Sequence, residues 1–164
     1  MRKELEPLDN RVRRLNSTHP SLGLQARRCL ALAEQRSTRF THWRWHPVHR
    51  DFYHDQILAT ERDLSVLDFD DAAMSEPTVD VANFLAHLRL LSLQHGHSPG
   101  PDRVAASFEE RYRRLDPDLD PCLLRFLEGT TLLRLAEIHL PRSGGEHLAR
   151  RLLQESERLL RSDH

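Results

Sequence analysis

A chain of 164 residues with a hydrophobic fraction of 38% and a mean hydropathy of -0.62 can bury one domain-sized core under a heavily charged surface. A net charge of -1 gives no bulk basicity to attract nucleic acid, and no apolar run approaches the roughly 20 residues that span a bilayer. The opening stretch MRKELEPLDNRVRRLN lacks the apolar segment of a secretory signal, so the sequence reads as cytoplasmic, with no nucleic-acid or membrane partner.

Leu5, Leu8, Val12 and Leu15 are spaced to share one helical face, and Pro7 points to a helix start near that residue. HPSLGLQARRCLALAEQR predicts a second helix starting after Pro20. A break follows in STRFTHWRWHP, where Pro47 stops any helix from running into His49. QILAT and LSVLDF are short and apolar and flank the polar ERD at 61–63, which is the pattern of a β-hairpin. Helical spacing resumes through Val81, Phe84, Leu85, Leu88 and Leu91, with His95 and His97 read as the end of that helix. Gly96 to Pro101 read as a loop, and Val104, Phe108, Tyr112 and Leu115 mark an amphipathic helix. PCLLRFLEGTTLLRLAEIHL is apolar enough for a central helix ending at Pro141, and GEHLARRLLQESERLL closes the chain as a surface helix. The predicted fold is therefore mainly α with a small β-hairpin, in one domain over residues 1–164.

The hairpin gives meaning to the segment WHPVHRDFYHDQIL before it. Asp51 lies in a loop, Gln56 stands at the edge of the first strand, and Asp68 lies at the end of the second. A loop acid, an amide five residues on and a second acid one hairpin later form a constellation suited to phosphoryl transfer. The first acid accepts the proton of a substrate hydroxyl; the amide and the second acid hold magnesium on nucleotide phosphates. The competing reading is of three polar residues that merely cap a hairpin.

The stretch 49–86, HRDFYHDQILATERDLSVLDFDDAAMSEPTVDVANFLA, resembles the C-terminal lobe of the aminoglycoside phosphotransferase family of small-molecule kinases. The resemblance implies ATP and Mg2+ as cofactors and a small-molecule hydroxyl as substrate. It makes Asp51 the catalytic base and His49 the histidine that supports its loop. Gln56 and Asp68 become the nucleotide-side metal ligands, and Asp80 the acid that braces the catalytic loop from the start of the long helix. Two positions depart from the family pattern: Gln56 stands where the family has Asn, and Ser75-Glu76-Pro77 replaces Gly-Asp-Pro.

A kinase also needs a glycine-rich loop over the phosphates and a strand lysine. The residues before His49 read as helices with one glycine, Gly23, and of the 24 basic residues only Lys3 is a lysine. The expectation is a truncated or split C-lobe with little activity alone, completed by an N-lobe partner chain or associating as a homo-oligomer. A non-catalytic binding or scaffold domain derived from such a kinase is the alternative.

Other features weigh less. His42 and His46 have i, i+4 spacing, and with His49 and His54 they suggest zinc, but Trp43, Trp45 and Pro47 disfavour the helix that this requires. Asp70 and Asp71 suit a solvated turn or a contact to a cationic substrate. Cys29 and Cys122 read as buried thiols rather than a disulfide.

Overall fold

The computed structural model describes residues 2–96 and 98–162, and the chain is 67% helical with two antiparallel sheets of two strands each. His97 lies outside the described residues. The chain divides into two compact units, residues 1–41 with 121–164 and residues 42–120.

The first unit is four helices: α1 (Arg2–Thr18), α2 (Pro20–Ser37), α5 (Pro121–His139) and α6 (Gly145–Arg161). Leu5, Leu8, Val12 and Leu15 are all buried, as their spacing demands. The start expected near Pro7 is corrected: α1 runs through Pro7 from Arg2, because a proline this close to the N-terminal end removes only one intrahelical hydrogen bond. Pro20 occupies the first turn of α2, where its missing N–H costs nothing. Gly23 allows α1 and α2 to touch, since a Cβ there would stand 2.3 Å from the Cα of Asn16. Arg36 is buried and caps α6. Its Nη1 donates to the carbonyls of Leu159, Leu160 and Ser162 at 3.1, 3.0 and 2.8 Å.

The second unit holds the motif segment. β2 (Ile57–Ala59) pairs with β3 (Leu64–Val66) in the predicted hairpin, in the register Ile57↔Val66, Leu58↔Ser65 and Ala59↔Leu64. Its turn closes on itself: Asp63 donates its N–H to the Thr60 hydroxyl, and Thr60 donates its own to the Asp63 carbonyl, both at 2.9 Å. A second sheet, absent from the sequence reading, joins β1 (His46–Val48) to β4 (Ala73–Ser75), with Pro47 opposite Met74. α3 (Thr78–Gln94) follows, with His95 as its C-cap, and then α4 (Pro99–Leu115). The loop expected over Gly96 to Pro101 is shorter than predicted, because Pro99 and Pro101 fit the first turn of α4 after the extended Ser98. Phe84 of α3 packs on Phe108 of α4 with ring centroids 4.4 Å apart.

One polar network pins the unit's chain entry to both its helices. Glu76, 1% exposed, accepts the Arg44 backbone N–H at 2.8 Å, its Nη2 at 2.9 Å and the Thr78 hydroxyl at 2.8 Å. Arg44 Nη1 donates to both oxygens of Asp116 at 2.8 and 2.9 Å. Burial alone would raise the Glu76 carboxyl, but the hydrogen bonds from Arg44 and Thr78 outweigh it and hold the group below its ordinary range.

Candidate functional site

The motif segment begins where β1 ends. Val48 is buried, and the chain then turns through Arg50, whose φ is 69°. Asp68, past the end of β3, has a φ of 58°. These are the non-glycine residues with positive φ among the described residues, and both lie in the predicted site. Such backbone costs about 1–2 kcal/mol per residue and persists only where the surroundings impose it.

Two contacts impose it at the loop's first residues. The Asp80 carboxylate, in the first turn of α3, accepts the N–H of His49 through Oδ2 and the N–H of Arg50 through Oδ1, each at 2.7 Å. The His49 ring, 5% exposed, bonds through Nε2 to the Leu67 carbonyl at 2.6 Å. A carbonyl only accepts, so the proton is assigned to Nε2, and Nδ1 stays buried with no partner among the described residues. Phe69 and Phe52 flank the ring at 4.8 and 6.1 Å. His49 thus ties the loop to the segment that leads into Asp68.

Gln56 sits in the 3-10 turn His54–Gln56 that leads into β2, and its Nε2 lies 3.5 Å from Asp68 Oδ2. The Gln56 carbonyl accepts the Leu67 N–H at 2.9 Å, so the hairpin backbone sets this approach. β3 stops at Val66, and Asp68 therefore stands beyond the strand on which the sequence reading placed it. Asp51 is half-buried in the turn between His49 and the 3-10 segment. Its charge reaches Tyr53, whose phenol is pushed up by burial first and then by the carboxylates of Asp51, Asp55 and Asp68. Asp80 and His49 thus hold the loop, Gln56 meets Asp68, and the charges of Asp51 and Asp68 both reach the Tyr53 phenol.

Magnesium takes about six oxygen ligands, commonly one or two from protein carboxyl or amide groups, with the rest from phosphates and water. Gln56 and Asp68 supply one amide oxygen and one carboxylate, which fits a magnesium that arrives with nucleotide phosphates. Among the described residues no three His, Cys, Asp or Glu side chains gather into a group that could hold a metal. The histidine cluster does not assemble as a helical pair, because residues 42–45 are not helical and His46 lies in β1. His54 instead faces Asp55, with Nε2 3.4 Å from Oδ1. Asp70 and Asp71 form an exposed turn. A cleft of about 880 Å3 in the first unit, lined by Glu6, Asp9, Glu34 and Phe40 among others, contains none of the predicted site residues.

Sequence reasoning missed the side chains that back the loop. Asn83 donates Nδ2–H to the Phe52 carbonyl at 3.0 Å, Phe84 stacks on the Phe52 ring at 5.3 Å, and His87 stacks on Tyr53 at 4.3 Å. The available signal was their spacing from Asp80, which puts all four on one stripe of α3.

The fold is mainly helical, with an antiparallel hairpin whose Gln56 meets Asp68. A model of the phosphotransferase enzyme family (APH) matches residues 1–123, and the chain belongs to that family. No curated protein and no solved structure matches the chain. Family members typically use ATP and Mg2+, and membership implies a small-molecule substrate. Among the described residues no helix is long and apolar enough to cross a membrane.

Proposed function

We propose that this chain carries the base and the metal ligands of an ATP-dependent kinase for a small-molecule hydroxyl. The observation that supports this most directly is the Asp80 carboxylate holding the two N–H groups just before Asp51, next to a Gln56–Asp68 pair. Asp51 accepts a hydrogen bond from the substrate hydroxyl, orients its oxygen toward the γ-phosphorus of ATP and takes the proton as the new O–P bond forms and the bond to the β–γ bridging oxygen breaks, releasing ADP. His49 and Asp80 hold the loop that presents Asp51. Gln56 and Asp68 hold magnesium, which when bound neutralises charge on the nucleotide phosphates.

The described strands, HPV, ILA, LSV and AMS, contain no lysine to grip the α- and β-phosphates. A nucleotide-gripping lobe outside residues 1–164 completes the site in this reading, and turnover by residues 1–164 alone is slow. The exposed Leu58, Leu64 and Phe69 of the hairpin region favour a second reading, a non-catalytic binding domain derived from such a kinase.

Mn2+·ATP as a paramagnetic probe separates the two. The kinase reading expects Mn2+·ATP to broaden the amide signals of Gln56 and Asp68, and Asp68→Ala to abolish the broadening. Asp51→Asn is expected to leave it intact while removing ATP turnover. Identical spectra with and without saturating Mn2+·ATP overturn the proposal and leave the binding-domain reading.

A further inference from the structure

Asp80 fixes the backbone before Asp51, at the N–H groups of His49 and Arg50. Downstream, the Phe52–Tyr53 peptide is held by Asn83, 2% exposed, whose Nδ2 donates to the Phe52 carbonyl at 3.0 Å. From the geometry we infer that Asn83 is a positioning residue for Asp51, acting as the downstream anchor of the loop. This rests on the reading of Asp51 as the base.

The choice of side chain is informative. The neighbours of Asn83 on α3, Val81, Ala82, Phe84 and Leu85, are buried and apolar. Burying an amide among them is unfavourable unless it is hydrogen-bonded, whereas a leucine of similar size would pack there without that demand. The short Asn83 side chain carries its donor to the Phe52 carbonyl. Aspartate has the shape but offers a second acceptor to an acceptor; alanine leaves the carbonyl bare.

The anchor is reinforced on the same stripe. Phe52 is stacked on Phe84 with an interplanar angle of 28°, and Tyr53 on His87 at 26°. The backbone on either side of Asp51, at Arg50 and at Phe52, is thus tied to one helix, and the Asp51 carboxylate between these ties is half-buried. For a base this matters, because a displacement of about 1 Å can reduce turnover on the order of 100-fold. A purely structural amide predicts something else: lower stability, with Asp51 unaffected in whatever fraction stays folded.

The test uses Asn83→Ala and Asn83→Asp in the full chain, at a temperature where circular dichroism shows both folded. Backbone 15N relaxation of residues 49–53 and the 13Cγ signal of Asp51 report on positioning, and kcat and KM for Mg2+·ATP with water as acceptor report on turnover. The expected result is new millisecond exchange at Asp51 and Phe52, a shifted Asp51 13Cγ signal and a fall in kcat of roughly 10- to 100-fold. KM should change by less than about threefold, since Gln56 and Asp68 are untouched. Wild-type relaxation at Asp51 in a folded Asn83→Ala chain overturns the inference, as does an unchanged kcat beside a mobile loop. If the wild-type chain hydrolyses no ATP even with a nucleotide lobe supplied, the kinase reading itself falls and this role with it. That outcome is visible before any Asn83 variant is compared.

Discussion

Replacing Asp80 by asparagine is the sharpest single test of how the loop is held. The carboxylate accepts two backbone N–H groups at 2.7 Å, from His49 and Arg50. Hydrogen bonds to a charged acceptor contribute roughly 1.5–3 kcal/mol each, and the exposed bond to Arg50 belongs at or below the lower end. Asparagine keeps the volume but accepts at one oxygen only, and its NH2 then confronts the other N–H, donor against donor. The substitution also removes a negative charge from the first turn of α3, worth roughly 0.3–1 kcal/mol at the positive end of the helix dipole. The total is about 3 kcal/mol, which for a chain of 164 residues corresponds to a fall in Tm of about 6–12 °C. Thermal melts by circular dichroism give the global effect, and hydrogen exchange at the His49 and Arg50 amides gives the local one. The expected local change is faster exchange by about two decades, since about 1.4 kcal/mol corresponds to tenfold. A loss of less than about 2 °C with both amides still protected would refute the claim that Asp80 holds the loop.

Arg36→Met removes three hydrogen bonds to the last carbonyls of α6 and should lower stability by about 2–4 kcal/mol, seen as an earlier urea midpoint with an unchanged slope. An unmoved midpoint would show that α6 needs no cap. The Cys29 thiol is pushed up to about 11, by burial first, so at mildly alkaline pH only Cys122 should react with a thiol reagent in the native chain. Rapid labelling of the Cys122→Ser variant would contradict the burial of Cys29. Acid should destabilise the chain in two stages. His139 is held below its ordinary 6.5 by burial and by Arg142, so its contribution is complete above 6.5 and drains as pH falls through its lower folded value. Glu76 is held below its ordinary 4.5, so its contribution is complete above 4.5 and is lost only in stronger acid. Tm measured from about pH 3 to pH 8 should therefore fall from the acid side of 6.5 downward, and Glu76→Gln should remove the lower stage.

What could be read from the sequence was local. The six helices follow from apolar spacing, and the hairpin from two short apolar runs whose turn is written in Thr60 and Asp63. β1 and β4 were illegible because each is three residues long, their pairing joins distant segments, and Pro47 discourages a strand assignment. The two proline errors have one cause: near a helix start the ring loses few bonds, so Pro7 does not mark the beginning of α1, and Pro99 begins α4 inside the expected loop. In the site, the separation of Asp51, Gln56 and Asp68 is visible in one dimension, but the hold on them is not. Asn83 looks like a stray polar residue in an apolar helix, and Arg44 gives no hint that Asp116 will meet it. Both contacts exist only once helices have packed.

The strain in the site and the polar stripe on α3 are two sides of one balance. Arg50 and Asp68 each adopt a left-handed backbone that an isolated peptide would avoid at about 1–2 kcal/mol. The Asp80 bonds to His49 and Arg50, and the His49 bond to Leu67, offset that cost at the two places where it arises. An apolar stripe would bury as much surface and stabilise α3 as well, but it would leave both turns free to relax. The buried polar side chains therefore contribute less to overall stability than to fixing one conformation of the loop. In that conformation Gln56 meets Asp68, and the charges of Asp51 and Asp68 both reach the Tyr53 phenol.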